Sequence, residues 1–260
     1  MWIDSHCHLD QLDMPIERVL ARARQAGVHT VVTICTQPSE WPTVKEYIER
    51  FDQVYAAVGL HPMLVDQDYV ATYEQMLSWL DHPKVVAIGE TGLDYYYSKT
   101  FAAEQQKSFR HHLEVSARTG LPVVIHTRAA DEDTLALVGK GPVKGILHCF
   151  SHNAAMAQGA LAAGLHISVS GIATFGKSEE IRAALKDVPL NRLLIETDAP
   201  YLAPHPRRGK TNEPSFLPHT AACLAEIKGV DIFTLASMIG DNFYNLFDKI
   251  TDLNPAAQSA

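Results

Sequence analysis

Near its beginning the chain carries the stretch WIDSHCH, residues 2–8, in which a short apolar run ends in two histidines. Seven later stretches share this form, since each is a run of apolar and β-branched residues bounded by turn residues. We interpret all eight as strands, at residues 2–6, 30–35, 54–59, 85–90, 122–126, 145–150, 166–171 and 193–198.

Helical periodicity fills the gaps between these strands, most clearly at residues 16–27, 101–120, 154–164 and 216–227. Alternating strands and helices predict parallel strands joined by right-handed crossovers, and eight such units predict a single closed (β/α)8 TIM barrel. A doubly wound open sheet is the alternative, which the absence of a GxGxxG loop after the first strand disfavours. We predict one barrel domain over residues 1–250 and a flexible C-terminal tail over residues 251–260.

The composition is that of a globular protein. Of 260 residues, 47% are hydrophobic and 20% are charged, which excludes a disordered chain. The net charge of −8 argues against a general nucleic-acid coat protein, but it leaves room for a nucleic-acid enzyme. Four dispersed cysteines without a CxxC pair, no signal-peptide pattern and no apolar run of membrane length predict a cytoplasmic protein.

Side chains that can bind metal stand at the ends of five predicted strands. They are His6, His8, Glu90, His126, His148 and Asp198. Because the carboxyl ends of barrel strands share one face, these six should converge there. His6 and His8 are two residues apart and share a strand face, so Cys7 between them should point outward to the helices. Six ligands exceed the three or four of a single catalytic zinc, which favours two divalent cations bridged by a carboxylate.

Several segments resemble the TatD family of metal-dependent deoxyribonucleases. They are IDSHCHLD, GLHP, GETGLDYY, PVVIHTR, ILHCFS, ETDAPYL and RGKTNEP, and the similarity runs from the first strand to about Phe247. The resemblance implies a TIM barrel of the metallo-dependent hydrolase type. It also implies hydrolysis of phosphodiester bonds in DNA, as a 3′→5′ exonuclease, with divalent metal.

The resemblance also assigns roles to the six side chains. It implies that His6, His8 and Asp198 bind a first metal and that His126 and His148 bind a second. Glu90 would bridge the two, and Asp198 would accept the proton of the attacking water, which makes Glu90 and Asp198 the expected catalytic residues. The mixed imidazole and carboxylate set suits Mg, Mn or Zn, so the ion itself is not specified.

Five further positions are expected to face the substrate on the same rim of the barrel: His61, Arg128, Arg208, Lys210 and Asn212. Three residues depart from the family pattern. Met63 replaces a histidine, Ala129 an acidic residue and His152 a glycine. None of the three is an expected ligand, and they bear on substrate preference.

The expected partner is DNA, single-stranded or at a 3′ end, because an acidic chain offers few cations to hold a duplex. We expect a monomer with no obligate protein partner and no membrane association. In an alternative function, the same metal site hydrolyses another ester or amide bond, as in a D-aminoacyl-tRNA deacylase, a lactonase or an amidohydrolase. Many amidohydrolases use a bridging lysine where strand four here has Glu90, which favours the nuclease. A third reading, a metal-binding scaffold without activity, is disfavoured by the complete ligand set.

Overall fold

The structure, a computed structural model, describes residues 1–66, 73–139 and 142–253. Within them, eight parallel strands form one sheet in sequence order. The strands are β1 (Trp2–Cys7), β2 (Val28–Cys35), β3 (Val54–Val58), β4 (Val85–Asp94), β5 (Val123–Arg128), β6 (Gly145–Leu147), β7 (His166–Val169) and β8 (Leu193–Ile195).

The sheet closes on itself just beyond β8. The Asp198 amide donates to the His6 carbonyl at 2.9 Å, and the His8 amide donates to the Ala199 carbonyl at 2.7 Å. These bonds join the end of β8 to the end of β1. The predicted (β/α)8 TIM barrel is therefore confirmed.

The helices surround this barrel. They are α1 (Ile16–Gln25), α2 (Trp41–Arg50), α3 (Tyr73–Leu80), α4 (Ala102–Thr119), α5 (Asp131–Val138), α6 (Ala154–Ala162), α7 (Glu179–Asp187), α8 (Leu217–Lys228), α9 (Ile232–Leu246) and α10 (Asp248–Leu253). Helix α1 is typical, since it buries Ile16, Val19, Leu20 and Ala23 at helical spacing and leaves charged residues outside. No helix in the described ranges combines the length and apolar character of a membrane span.

The start of the predicted tail belongs to α10, which runs to Leu253, and residues 254–260 lie outside the described part of the chain. Helices α9 and α10 cover the end of the barrel where the strands begin. Phe243 and Phe247 stack there with ring centroids 4.5 Å apart. They pack with Ile3, Val86 and other inward-facing strand residues in an apolar layer that we call the barrel floor.

The structure differs from the predicted strands in ways that matter for the opposite end of the barrel. In β1 the pairing with β2 slips between Asp4 and Cys7. Such a bulge changes which side chains face inward. In a regular strand Ile3 and His6 would face opposite sides of the sheet. The slip lets His6 and His8 face into the barrel on the same side as Ile3. Cys7 is buried on the outer side of the strand, against the helices, as predicted.

Strand β4 continues four residues beyond the predicted end at Glu90, because GETGLD stays paired with β5 as far as Asp94 and Arg128. Gly92 makes this pairing possible. Its φ is +134°, and a Cβ atom there would lie 1.9 Å from the His126 carbonyl oxygen. Conversely, β6 and β8 end three residues earlier than predicted, so His148 and Asp198 lie in the loops that follow these strands.

Candidate metal centre

The strand ends and the loops after them enclose an open cavity of about 900 Å³. Five of the six expected ligands line it, namely His8, Glu90, His126, His148 and Asp198, and His6 lies fully buried directly beneath. The structure thus brings together side chains from five strands or from the loops that directly follow them. Their atoms fall into two groups, one on each oxygen of the Glu90 carboxylate.

The first donor group consists of His6, His8, Asp198 and Glu90 Oε2. His6 Nε2 lies 3.4 Å from Glu90 Oε2 and 3.6 Å from Asp198 Oδ1. His8 Nε2 lies 3.8 Å from Glu90 Oε2, 3.6 Å from Asp198 Oδ1 and 3.4 Å from His6 Nε2. The two imidazole nitrogens therefore lie within 3.8 Å of both carboxylate oxygens and 3.4 Å from each other.

The second donor group consists of His126, His148 and Glu90 Oε1. Glu90 Oε1 lies 3.1 Å from His126 Nδ1 and 2.8 Å from His148 Nε2. The two imidazole nitrogens are 3.5 Å apart. Glu90 is common to both groups, which is the arrangement expected of a carboxylate that bridges two cations.

These separations test whether a cation fits the first donor group. Four ligands held about 2.1 Å from one tetrahedral ion lie about 3.4 Å from each other. The five distances in this group fall between 3.4 and 3.8 Å, close to that spacing. The donor set fits a divalent cation.

Carboxylates hold the outer nitrogens of the second donor group. Asp94 Oδ2 lies 3.0 Å from His126 Nε2, and Glu196 Oε1 lies 3.3 Å from His148 Nδ1. A carboxylate on the far nitrogen fixes the tautomer of a metal-binding histidine and the direction of its ring. The sequence analysis did not single out Glu196. The available signal was a charged residue inside the buried run LLIETD, because such a charge needs a partner.

His61 also approaches Glu90, with its Nε2 atom 3.3 Å from Oε1. However, its Nδ1 atom accepts a hydrogen bond from the Met63 amide at 3.1 Å. In a neutral imidazole the other nitrogen then carries the proton, so Nε2 is a donor and has no free lone pair for a metal. Burial lowers the pKa of His61, which favours this neutral form. The structure therefore offers His61 as a hydrogen-bond donor to the cavity.

The histidines keep the two central carboxylates ionised. Burial by itself would raise the pKa of Glu90, but the charge of His148 and the hydrogen bonds from His126 and His148 hold it well below its usual range. For Asp198, burial would again raise the pKa, and the hydrogen bond with His8 together with the charge of His6 lowers it. Both side chains are thus anionic, as ligands of a cation must be.

The residues expected to face the substrate occupy different places. His61 and Arg128 line the cavity. Arg208 does not line the cavity, and its guanidinium lies 3.8 Å from the centroid of the Phe175 ring. Lys210 is exposed and does not line the cavity either. Asn212 is fully buried, and its amide donates to the Thr197 and Tyr201 carbonyls, so it braces the loop after β8.

The three departures from the family pattern lie around the same opening. Met63 is 54% exposed and lines the cavity, where it adds apolar surface. Ala129 adopts a positive φ of 53°, directly after Arg128. His152 pairs with Asp131 at 3.1 Å, which joins the loop after β6 to the start of α5.

The chain is similar to known proteins along nearly its whole length. The sequence matches the model of the TatD related DNase family over residues 3–248. It is 40% identical over 253 residues to the uncharacterized metal-dependent hydrolase YcfH of Escherichia coli strain K12, with 94% of this chain and 95% of that protein covered. It is 37% identical over 256 residues to the uncharacterized metal-dependent hydrolase YabD of Bacillus subtilis strain 168, with 95% and 99% covered.

Among solved structures, the crystal structure of YjjV, a TatD homologue from Escherichia coli K12, is similar to this fold. The TM-score is 0.88 at 30% sequence identity, and the match covers 95% of this chain and 98% of that one. The similarity thus includes all the strands that carry the two donor groups.

Proposed function

Since this chain belongs to the TatD related DNase family of metal-dependent hydrolases, we propose that it hydrolyses phosphodiester bonds of DNA as a 3′→5′ exonuclease. One observation carries the proposal. The Glu90 carboxylate lies between two groups of imidazoles in the open cavity at the carboxyl ends of the strands. A pair of cations a few ångströms apart is the arrangement used by many enzymes that cleave phosphate esters.

We propose that His6, His8 and Asp198 hold one divalent cation, that His126 and His148 hold the second, and that Glu90 bridges them. Mg, Mn and Zn are all compatible with these ligands. Once bound, the cations would supply Lewis-acid polarisation of the phosphate and a lower pKa for the attacking water. The remaining chemistry comes from the protein's own groups.

Asp198 is the proposed proton acceptor. It lines the cavity, it is anionic, and its Oδ1 atom lies 3.6 Å from both His6 Nε2 and His8 Nε2 in the first donor group. Water attacks phosphorus, the bond from phosphorus to the 3′ oxygen breaks, and Asp198 takes a proton from the water. The leaving 3′ oxygen takes a proton from solvent water and Asp198 returns its proton to solvent, so the products are a 5′-mononucleotide and a strand shortened by one residue.

His61 and Arg128 are the proposed phosphate contacts. The His61 Nε2 proton faces the Glu90 oxygen that belongs to the second donor group, so it can donate to a phosphate oxygen above that carboxylate. Arg128 follows His126 by two residues and lines the same side of the cavity. A guanidinium there can hold the phosphate on the uncleaved side.

A short single-stranded end is the proposed substrate. Arg128 is the only lysine or arginine among the described residues that line the cavity. Binding of a long duplex draws on many phosphate contacts, and few are offered by this surface. We therefore expect affinity for DNA to be modest and to fall with rising salt.

The test begins with protein stripped of metal, to which Mg, Mn or Zn is then restored singly. Each form is given the same single-stranded DNA, labelled at the 3′ end in one assay and at the 5′ end in another. Metal-dependent release of the 3′ label as a mononucleotide supports the proposal, and a 5′-labelled ladder checks the direction of cleavage. His126→Ala should abolish release, whereas His29→Ala, which changes an exposed histidine on β2, should not. Protein that binds metal but leaves DNA intact with every ion would contradict the proposal and favour another ester or an amide as substrate.

A further inference from the structure

The cavity has two ends of opposite charge. Glu90 and Asp198 belong to the donor groups, and Asp94 pairs with His126, so these three acidic side chains are already engaged. Two charged side chains of the described lining are left for a substrate: Arg128, beyond the second donor group, and Glu40, beyond the first. A DNA strand bound across the two donor groups would therefore meet a positive charge at one end of the cavity and a negative charge at the other.

The cationic end combines charge with exposed aromatic surface. The Arg128 guanidinium lies 3.8 Å from the Tyr96 ring centroid and 5.2 Å from that of Tyr97. The two tyrosines are 60% and 67% exposed, and Tyr97 lines the cavity. Aromatic faces and an arginine suit the bases and phosphates of a strand that continues out of the site.

The anionic end is rigid. The Glu40 carboxylate accepts hydrogen bonds from the Thr36 amide at 2.6 Å, from the Thr36 hydroxyl at 2.9 Å and from the Gln37 side chain at 3.0 Å. All these partners are uncharged, so they hold the carboxylate in place without neutralising it. Beside it the Tyr201 hydroxyl donates to Gln11 at 2.7 Å. This wall offers hydrogen bonds to a nucleoside but repels a phosphate.

We propose that Glu40 makes the site select strand ends that carry a free 3′ hydroxyl, by repelling any phosphate placed beyond the terminal nucleoside. The inference rests on the proposed nuclease function and deepens it. The terminal nucleoside lies against Gln11, Gln37 and Glu40, the scissile phosphate lies over Glu90, and the strand leaves past Arg128. A strand bound in its middle would put its next phosphate against Glu40, so the same charge disfavours internal cleavage.

The experiment uses the metal-loaded full-length protein and three single-stranded 12-mers of one sequence, ending in a 3′-amino, a 3′-hydroxyl or a 3′-phosphate group. For the wild type we expect kcat/KM to be at least about tenfold lower for the phosphate end than for the hydroxyl end, with the amino end at least as good as the hydroxyl. In Glu40→Gln the ratio of hydroxyl to phosphate should fall to within about threefold. Glu40→Asp, which keeps the charge, should retain the preference.

Glu46→Gln is the matched control, because it removes a carboxylate from the exposed face of α2, outside the cavity, and should keep the wild-type ratio. If Glu40→Gln does not fold, the wild-type ratio is measured between low and high salt, where screening should shrink it. A ratio that is the same in Glu40→Gln as in the wild type, or insensitive to salt, would overturn this inference alone. If the wild type cleaves none of the three ends, the proposed function fails, and this inference fails with it.

Discussion

The barrel floor and the metal centre are built on the same eight strands, yet they bury opposite kinds of side chain. At the floor, Phe243 and Phe247 stack against aliphatic residues at the beginnings of the strands. At the other end of the same strands, several histidines and the Asp198 carboxylate are clustered around the buried Glu90 side chain. Buried apolar surface stabilises the folded chain, whereas clustered charges tend to destabilise it unless each has a partner. The comparison predicts that stability and activity can be changed separately.

The largest effect on stability should come from the floor. Phe247→Ala removes a fully buried ring, and the transfer and cavity terms together should lower the free energy of unfolding by about 3–5 kcal/mol. Denaturant unfolding measures this change. The kcat of the remaining folded protein should stay within about twofold of the wild type, because the ring lies at the far end of the barrel.

Phe233→Ala is the control for the floor, since Phe233 is 83% exposed on α9 and its loss should change stability by less than about 0.5 kcal/mol. An unaltered unfolding midpoint in Phe247→Ala would show that the C-terminal helices do not stabilise the barrel as described.

The metal centre should show the reverse behaviour. Glu90→Gln keeps the shape of the side chain but removes the charge that both donor groups share. Because loss of an outer partner of a ligand already costs about 10–100-fold, loss of the bridge should lower kcat by more than about 100-fold. A Glu90→Gln enzyme of nearly normal rate would contradict the bridging role.

Glu196→Gln tests the support beneath the second donor group. The substitution weakens the acceptor that fixes His148 Nδ1, so cation affinity at that group should fall about 10–100-fold while the first group is less affected. Metal titration by calorimetry resolves the two affinities. An equal loss of cation affinity at both donor groups would mean that Glu196 acts on the whole site and not through His148.

How far the sequence predicts this molecule also differs between the two ends. Periodicity predicted all eight strands, because apolar runs and helical spacing are local properties of the sequence. The barrel fold that follows from them predicted the convergence of the six expected ligands, because the carboxyl ends of barrel strands share one face. Periodicity missed the slip in β1 and the continuation of β4 past Glu90, because bulges and register depend on the neighbouring strand. It also missed Glu196 and Glu40, whose positions follow from loops and from partners distant in sequence.

His112 is another residue whose environment the sequence does not indicate. Its ring is fully buried in α4, where Nε2 accepts from the Leu60 amide at 3.0 Å and Nδ1 donates to the Ser108 carbonyl at 2.7 Å. These bonds anchor the segment that leads to His61. Burial lowers the pKa of His112 to about 4, so the folded protein holds this ring neutral.

This shift gives the smallest predicted effect. Because the unfolded chain binds the proton more readily, the stabilisation is complete above about pH 6.5 and is lost as the pH falls towards 4. Between pH 7 and pH 5.5, metal-free wild type should lose about 1 kcal/mol more stability than His112→Gln, whose amide oxygen can still accept from Leu60. Parallel unfolding curves at several pH values make the comparison. Identical pH dependence in the two proteins would refute the assignment.

We propose that Glu90 joins two cation sites at this end of the barrel. Crystals of the protein loaded with Mn or Zn, measured at the absorption edge of that metal, test it most directly. If Glu90 bridges two cations, two anomalous peaks should lie about 3.5–4 Å apart, one beside each oxygen of Glu90, with His61 bound to neither. A single peak, or a peak away from Glu90, would contradict it.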